Sequence, residues 1–504
     1  MKSKKNILTL ENITRSFNVG LLLFMAGSGF AGWFWDVKWL WLTLAFFIFN
    51  LLNFYFLFFQ SRHSLLKNFG LLALFRYFFE SIGPEFRQYL YSSDTEEKPF
   101  NRMERADVYK KAKNKEKSSA FGSLLNFDGT ELKLKHSFYP VDQSHIQPFQ
   151  VCFGEERGLA QSYTITKAVL ISAMSYGALG KKAIQALSRG AKKAGVPLNT
   201  GEGGYPKYHL TEGADLIFQM GTAKFGVRKS DGSLDPELLE KISALESVKM
   251  IEIKLSQGAK PGKGGLLPKE KITEEIAELR GVPQGEDVIS PPGHKECQSP
   301  ESTVRFIRKV QDISGLPTGI KFCLGSVREL EHILYEMKKQ NSYPDYIAID
   351  GSEGGTGAAP KTFMDDLGYA LFPALHKMTD LMEKHEIKNK FKLLAAGKLI
   401  GAGKQIMALS MGASAVYTAR GFMLAIGCLQ ALKCNNNTCP VGITTHSESL
   451  QKGLDIEEKS ERVKNYVLNL DRYHYELLSG LGKTRFSDLD KESLIFPQPS
   501  YWAL

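Results

Sequence analysis

Two long stretches near the start of the chain carry almost no polar side chains. Phe17 to Trp35 contains no charged residue, and after the break Asp36-Val37-Lys38 a second uncharged run continues from Trp39 to Phe59, with Thr43, Asn50 and Asn53 as its clearly polar members. A helix of about 20 such residues matches a hydrocarbon core about 30 Å thick, so the pattern predicts a transmembrane hairpin over residues 1–60. A secretory signal competes for the first run because Lys2, Lys4 and Lys5 precede it, but the immediate second run and the lack of a small-residue cleavage pattern argue against it. Those lysines and Arg15 flank one end of the pair, and Arg62, Lys67 and Arg76 follow the other. Positive-inside reasoning therefore puts both ends, and the chain that follows, on the cytoplasmic side of a multi-pass membrane protein. Trp33, Trp35, Trp39 and Trp41 cluster at the far turn, where an interfacial aromatic belt sits.

Residues 61–150 alternate less clearly and read as a connector, with an amphipathic piece from Leu65 to Tyr91 and a charged stretch from Asp94 to Lys117. The run Lys110 to Lys117 has the charge to touch anionic lipid, although a solvated helix face is the simpler reading. From Val151 the character changes to short apolar runs separated by helix-like segments: Val169–Met174, Asp215–Gln219, Met250–Lys254, Thr318–Phe322, Tyr346–Asp350, Phe391–Ala395 and Ala415–Thr418. Seven strands, with an eighth that the pattern does not place, suit a (β/α)8 barrel over residues 151–446, because polar, functional-looking residues follow nearly every strand and barrel strand ends converge on one mouth. A doubly wound sheet would want a Gly-x-Gly-x-x-Gly turn with an acid further on, and no strand is followed by one. Residues 447–504 read as a tail, helical around Ser460 to Leu481.

Composition narrows the class. With 23% charged and 43% apolar residues the chain is globular rather than disordered, and six cysteines in 504 residues exclude a disulfide scaffold. The net charge of +10 admits nucleic acid or an acidic membrane surface as partners; its placement around the hairpin and among the barrel loops favours the membrane and small anions over nucleic acid.

Late in the barrel, Ala396-Gly397-Lys398 follows one strand, with Gly401 and Gly403 close behind, and Ala419-Arg420-Gly421 follows the next. Small residues at that place let backbone amides approach a phosphate, which suits FMN, with Lys321 at an earlier strand end as a cation near the flavin's pyrimidine edge; tight turns explain the same glycines equally well. Cys428, Cys434 and Cys439 then stand together, followed by Pro440. Their spacing lacks the paired knuckles and the fourth ligand of a zinc site, with His446 a possible outsider, and leaves an iron–sulfur site and inert buried thiols as alternatives. Cys152, Cys297 and Cys323 are scattered and read as core.

Taken together, Met174-Ser-Tyr-Gly-Ala-Leu-Gly180, Asn199-Thr-Gly-Glu-Gly-Gly204, Ile253-Lys-Leu-Ser-Gln-Gly-Ala-Lys-Pro-Gly262, Ser290-Pro-Pro292 with His294, Gly354-Gly-Thr-Gly-Ala-Ala-Pro360 and the cysteine run resemble the FMN-binding synthase domain of the glutamate synthase large subunit, in the family's order, from about Gln150 to His446. The resemblance implies a (β/α)8 barrel with FMN and a 3Fe-4S cluster held by Cys428, Cys434 and Cys439, in which 2-oxoglutarate and ammonia condense and the imine is reduced to L-glutamate. It also implies that Ala173, Met174, Ser175 and Gln219 contact the flavin with Lys321, and that Glu202, Lys260 and Arg280 line the keto-acid pocket. A dicarboxylate does ask for an Arg fork and a Lys point charge. By its sequence alone Arg280 ends an amphipathic stretch, Glu274 to Arg280, and would face solvent; His294 would brace the Ser-Pro-Pro turn or shuttle a proton.

The chain also departs from the family pattern. Leu266 stands where a Gln usually helps to hold the keto acid, and Lys263 where an acid is common. The chain begins Met1-Lys2-Ser3 rather than with an amidotransferase's N-terminal Cys, so ammonia is expected from solution or a separate glutaminase, and electrons from a separate donor. The expected activity is that of a membrane-tethered glutamate synthase-like oxidoreductase acting on CH–NH2 donors. The alternatives are a membrane-linked dehydrogenase of amino or N-alkylamino acids and a catalytically idle assembly or sensor module.

Overall fold

The computed structural model describes residues 10–115, 118, 122–125 and 131–497, which fall into two compact units, Met1–Arg102 and Met103–Leu504. Lys2, Lys4, Lys5, Lys117 and the last residues of the tail lie outside the described residues.

In the first unit, helices α1 (Leu10–Phe34) and α2 (Trp39–Phe54) pack side by side as a hairpin. Apolar lengths of 23 and 21 residues, Asn12–Phe34 and Trp39–Phe59, are sufficient to cross a membrane. Leu23, Phe24, Trp41 and Phe58 are each at least 64% exposed, so no part of the described chain covers these faces. The few polar side chains are used between the helices: Thr43 Oγ1 donates to Ser28 Oγ at 3.1 Å, Asn50 Nδ2 to the Leu21 carbonyl at 3.3 Å and Asn53 Nδ2 to Asn18 Oδ1 at 2.9 Å. The pairings descend along α1 as they climb α2, which fixes an antiparallel register. The amphipathic piece expected over Leu65–Tyr91 folds as helices Ser64–Phe69 and Ala73–Phe86 with a short turn between them.

In the second unit eight parallel strands close into a barrel: β1 (Val169–Ile171), β2 (Leu198–Asn199), β3 (Leu216–Met220), β4 (Val248–Lys254), β5 (Thr318–Phe322), β6 (Tyr346–Asp350), β7 (Lys392–Ala396) and β8 (Ala415–Thr418), with β8 pairing back onto β1. The strand that the sequence pattern did not place is β2. It is two residues long, too short to carry a hydrophobic period, and runs straight into the polar Thr200-Gly-Glu202 segment. An antiparallel pair, Val151–Phe153 with Tyr163–Ile165, lies ahead of β1, and its Phe153 meets Tyr346 of β6 edge to face at 5.6 Å.

The helices that wrap the barrel carry ordinary start and stop signals. Helix α3 (Lys181–Ala194) buries Ala183, Ile184, Leu187 and Ala191 along one face and ends at Gly195 in the left-handed conformation. Helix α4 (Pro300–Ser314) starts with a reciprocal Ser299–Ser302 capping box and Pro300 in its first turn. The tail helix α5 (Ile456–Gly480) packs along α3 as part of the barrel's outer layer; Gly190 allows this approach, since a Cβ there would meet Val463 and the Ser460 carbonyl. The connector expected over 61–150 is thus shared between the two units, and the segment after His446 belongs to the barrel unit.

At the start of β6, Asp345 holds the barrel's lower rim. Its fully buried carboxylate accepts from Arg157 Nε at 2.8 Å, Arg157 Nη2 at 2.7 Å and the Thr318 N–H at 2.7 Å. Asp345→Ala strands these donors, so unfolding stability is expected to fall by about 3 kcal/mol, read as a lower denaturant midpoint.

Candidate active site at the barrel mouth

The C-terminal strand ends build the site from inside outward. At the centre Glu252, fully buried on β4, accepts Gln219 Nε2 at 2.7 Å and Asn199 Nδ2 at 2.8 Å on one oxygen and the Tyr417 hydroxyl at 3.1 Å on the other. This network fixes Gln219 as an inward-pointing group with a satisfied partner. Beside it Lys321 of β5 lies buried, 3.5 Å from Asp350 Oδ2 and 5.8 Å from the Tyr417 ring centre. Burial opposes its charge, but the carboxylates of Asp350 and Glu252 outweigh that and hold its pKa above the usual lysine value.

The loop after β1 carries Ala173, Met174 and Ser175. It is held by the Met174 carbonyl, 2.9 Å from buried His209 Nε2, and by the glycine-rich loop after β2. Gly201, with a φ of +64°, passes so near that a Cβ would stand 2.8 Å from the Ser175 nitrogen, which explains why that motif needs glycine. Across the mouth, Gly397 and Lys398 leave β7 with positive φ values of 150° and 48°, and Ala419 precedes the short helix Arg420–Ala425. The first N–H groups of that helix and of Ala402–Ser410 lack intrahelical acceptors, as at any helix start.

Glu202, Lys260 and Arg280, from three separate segments, come together on one cleft. Lys254 Nζ, at the end of β4, lies 2.7 Å from Glu202 Oε1. Burial pushes the Glu202 pKa up, yet Lys254, with Lys260 and Arg280 beyond it, pulls it below the ordinary value. Lys260 is buried and donates to the Ala358 carbonyl at 3.1 Å; burial first, then the charge of Lys254, lowers its pKa to about 8. Arg280 does not face solvent. Thr273 caps the helix Glu274–Arg280, whose last turn carries the guanidinium inward, so that it is 6% exposed, with Nη2 donating to the Tyr176 carbonyl at 3.0 Å and the group stacked 5.3 Å from the Phe225 ring. Its buried Nε has no acceptor in the protein, and burial lowers its pKa to about 10.

Leu266 lines this cleft as an apolar wall within a short strand, Leu266–Leu267, that pairs with Val288–Ile289. Lys263 points its ammonium over the Phe363 ring at 5.5 Å. His294 is a brace: Nε2 sits 3.0 Å from the Lys254 carbonyl, and burial drops its pKa to about 4, which keeps the ring neutral. Three groups of the site were not singled out from the sequence. Glu252 and Lys254 had a signal, since a charge inside an otherwise apolar strand is expensive unless it is used. Lys271 had none. It lies in a polar Lys-Glu-Lys run, yet it is buried and bridges the carbonyls of Ala178 at 2.6 Å and Cys434 at 3.0 Å.

Cys434 shares the same cleft and also rims a smaller cavity with Cys428 and Cys439. The Gln430 N–H donates to Cys428 Sγ at 3.4 Å, Arg420 Nη1 approaches Cys434 Sγ at 4.0 Å, and backbone N–H groups of Thr444, Val441 and Ile443 surround Cys439. Burial raises the Cys439 pKa, but those N–H groups outweigh it and hold the thiol below its usual value. Among the described residues no three His, Cys, Asp or Glu side chains are close enough to share one metal ion. A polynuclear cluster does not require that, because each thiolate takes its own iron. The Arg420 side chain also donates to the Thr356 carbonyl at 2.7 Å, in the loop after β6. Of the scattered thiols, burial raises Cys297 to about 11 and Cys323 to about 12, which keeps both protonated.

Comparisons with known proteins identify the family. The family profile described as "Conserved region in glutamate synthase" matches residues 89–484, wider than the stretch in which motifs are legible. The glutamate synthase large subunit-like protein YerD of Bacillus subtilis is 36% identical over 475 residues, covering 87% of this chain and 90% of that protein. The archaeal glutamate synthase [NADPH] of Methanocaldococcus jannaschii is 33% identical over 324 residues, covering 64% of this chain and 61% of its own length. Among solved structures, a mandelate oxidase aligns with a TM-score of 0.46 at 15% identity, covering 78% of this chain and 98% of that one. By the extent of the profile match and of the likeness to YerD, the chain belongs to the glutamate synthase family.

Proposed function

We propose that the barrel binds FMN and an iron–sulfur cluster of the 3Fe-4S type and converts 2-oxoglutarate, ammonia, two electrons and two protons to L-glutamate and water. The observation that carries this reading is Arg280: a buried guanidinium with an unsatisfied Nε, sharing a cleft with Lys260 and Glu202 that reaches Cys434. Two fixed cations suit the two carboxylates of the keto acid, Arg280 by its fork and Lys260 as a point charge. Glu202, ionised beside Lys254, is placed to orient the incoming ammonia and to accept a proton from it. The residues present suit both groups. Ala173 to Ser175, Gln219 and Lys321 would hold the flavin ring, Gly397, Lys398 and Ala419 its phosphate, and the three cysteines the cluster, whose sulfur ligands the surrounding N–H groups would stabilise. When bound, the flavin supplies hydride chemistry and the cluster single electrons drawn from a separate donor.

The hairpin serves as the anchor in this reading, in the cytoplasmic membrane with the barrel on the cytoplasmic side, because basic residues flank both helices and the turn is tryptophan-rich. A second reading, the same chemistry run backward on an amino or N-alkylamino acid, draws support from Leu266, which removes a polar contact from the cleft wall. Spectral titration of the bound flavin separates the two: 2-oxoglutarate with ammonium should oxidise the reduced flavin, whereas a dehydrogenase substrate should reduce the oxidised one.

The lowered pKa of Lys260 gives a pH test. The ammonium that attracts a dicarboxylate is present below about 8 and lost above it, so 2-oxoglutarate affinity is expected to weaken as pH rises through that value. Flavin-perturbation binding curves across pH 6.5 to about 9.5 check this, and Lys260→Gln should flatten that limb.

A further inference from the structure

The helix Arg102–Ala112 stands outside the barrel's strand–helix repeat and far in sequence from the cysteine loop, yet it touches that loop directly. Arg105 and Tyr109 are one helical turn apart and therefore share a face. From that face Arg105 Nη1 donates to the Leu429 carbonyl at 3.1 Å and the Tyr109 hydroxyl to the Cys428 carbonyl at 2.5 Å. Arg105 is 6% exposed, so this contact is made away from solvent.

The helix is itself pinned from the other side. Asn469 Nδ2 donates to the Lys111 carbonyl at 3.0 Å and Asn465 Nδ2 to the Ala112 carbonyl at 3.3 Å, so two side chains of α5 satisfy carbonyls that a helix end leaves open. Val108 and Ala112 are essentially fully buried. The loop needs outside support. Gln430 and Leu432 have φ values of 59° and 56°, in the left-handed region that side-chain-bearing residues resist, and Leu432 is 70% exposed, so its side chain adds little packing.

We propose that Arg105 and Tyr109 form a clip that holds Cys428 in position as a cluster ligand, making them positioning residues of the iron–sulfur site. The inference rests on the cluster reading above. It adds a functional link that neither the cysteine spacing nor the barrel supplies: the cluster loop is held by a helix that lies ahead of every barrel strand in the chain. Loss of the clip should free the Cys428–Leu432 backbone while leaving Lys321, Gln219 and the phosphate loops untouched.

The test uses full-length protein purified without oxygen, comparing wild type with Tyr109→Phe, Arg105→Gln and the double variant. Readouts are iron and sulfide per chain, the electron paramagnetic signal of the oxidised cluster, and the rate of iron loss to a chelator. Bound flavin reports that the barrel has folded. The double variant should keep its flavin and lose iron to the chelator at least tenfold faster than wild type, with Tyr109→Phe in between. In parallel, iron-free protein should show Cys428 alkylated at least fivefold faster in the double variant, with Cys297 unchanged. Equal chelator loss and equal alkylation in wild type and double variant overturn the clip. Wild type without iron or sulfide sinks the cluster reading, and the proposal with it. Loss of flavin together with iron in the double variant also overturns it, because the effect would then be on the barrel as a whole.

Discussion

Replacing Arg280 with leucine is expected to raise the half-saturating concentration of 2-oxoglutarate roughly a hundredfold while flavin content stays at the wild-type level. The size follows from the surroundings. Arg280 is buried, stacked on Phe225, anchored by one nitrogen to the Tyr176 carbonyl, and left with an unsatisfied donor. Removing one partner from a buried charged contact costs about 3 kcal/mol, and each 1.4 kcal/mol is about tenfold in affinity. Arg280→Lys separates charge from shape: it keeps a cation but loses the planar fork, and should fall between wild type and Arg280→Leu. Flavin-perturbation titrations with 2-oxoglutarate measure all three. Equal affinities would assign Arg280 to structure alone.

Cys434→Ser carries the second large effect. Cys434 borders both the substrate cleft and the cysteine cavity, and its carbonyl and thiol face Lys271 and Arg420 respectively. A serine hydroxyl does not ionise near neutral pH and is a poor match for iron, so the variant is expected to retain its flavin and lose nearly all bound iron and acid-labile sulfide. With flavin present and the cluster gone, electrons should reach the flavin from a small-molecule reductant but no longer from a one-electron protein donor. Cys152→Ser, remote from the loop in the strand Val151–Phe153, should leave the iron unchanged. Full iron retention in Cys434→Ser would remove that thiol from the ligand set.

Much of this architecture is legible in the residue pattern, for a physical reason. Buried parallel strands are continuous apolar runs, and Thr318–Phe322, Tyr346–Asp350 and Ala415–Thr418 have the bounds that their runs suggest. The two apolar helices are equally plain, because their lengths far exceed what a strand uses. Strand β2 is not legible, since two residues hold no period. At the site, periodicity misleads for Arg280: the amphipathic stretch Glu274–Arg280 is a real helix, but a seven-residue helix over the barrel mouth buries its last side chain instead of exposing it. Lys271 is hidden by its polar neighbours, and the contact of Arg105 and Tyr109 with the cysteine loop spans more than three hundred residues, beyond any local pattern. Motif resemblance supplied what periodicity could not, bringing Glu202, Lys260 and Arg280 forward as a set before the cleft gathered them.

The central claim is that this cleft reduces an imine of 2-oxoglutarate with flavin electrons. An anaerobic titration tests it most directly. Purified full-length protein is reduced until the flavin absorption bleaches, then mixed with 2-oxoglutarate, with ammonium, or with both. The account predicts that the oxidised flavin spectrum returns only with both, accompanied by one L-glutamate for each pair of electrons released. Protein that carries no flavin, or reduced flavin that stays bleached with both substrates present, would contradict it.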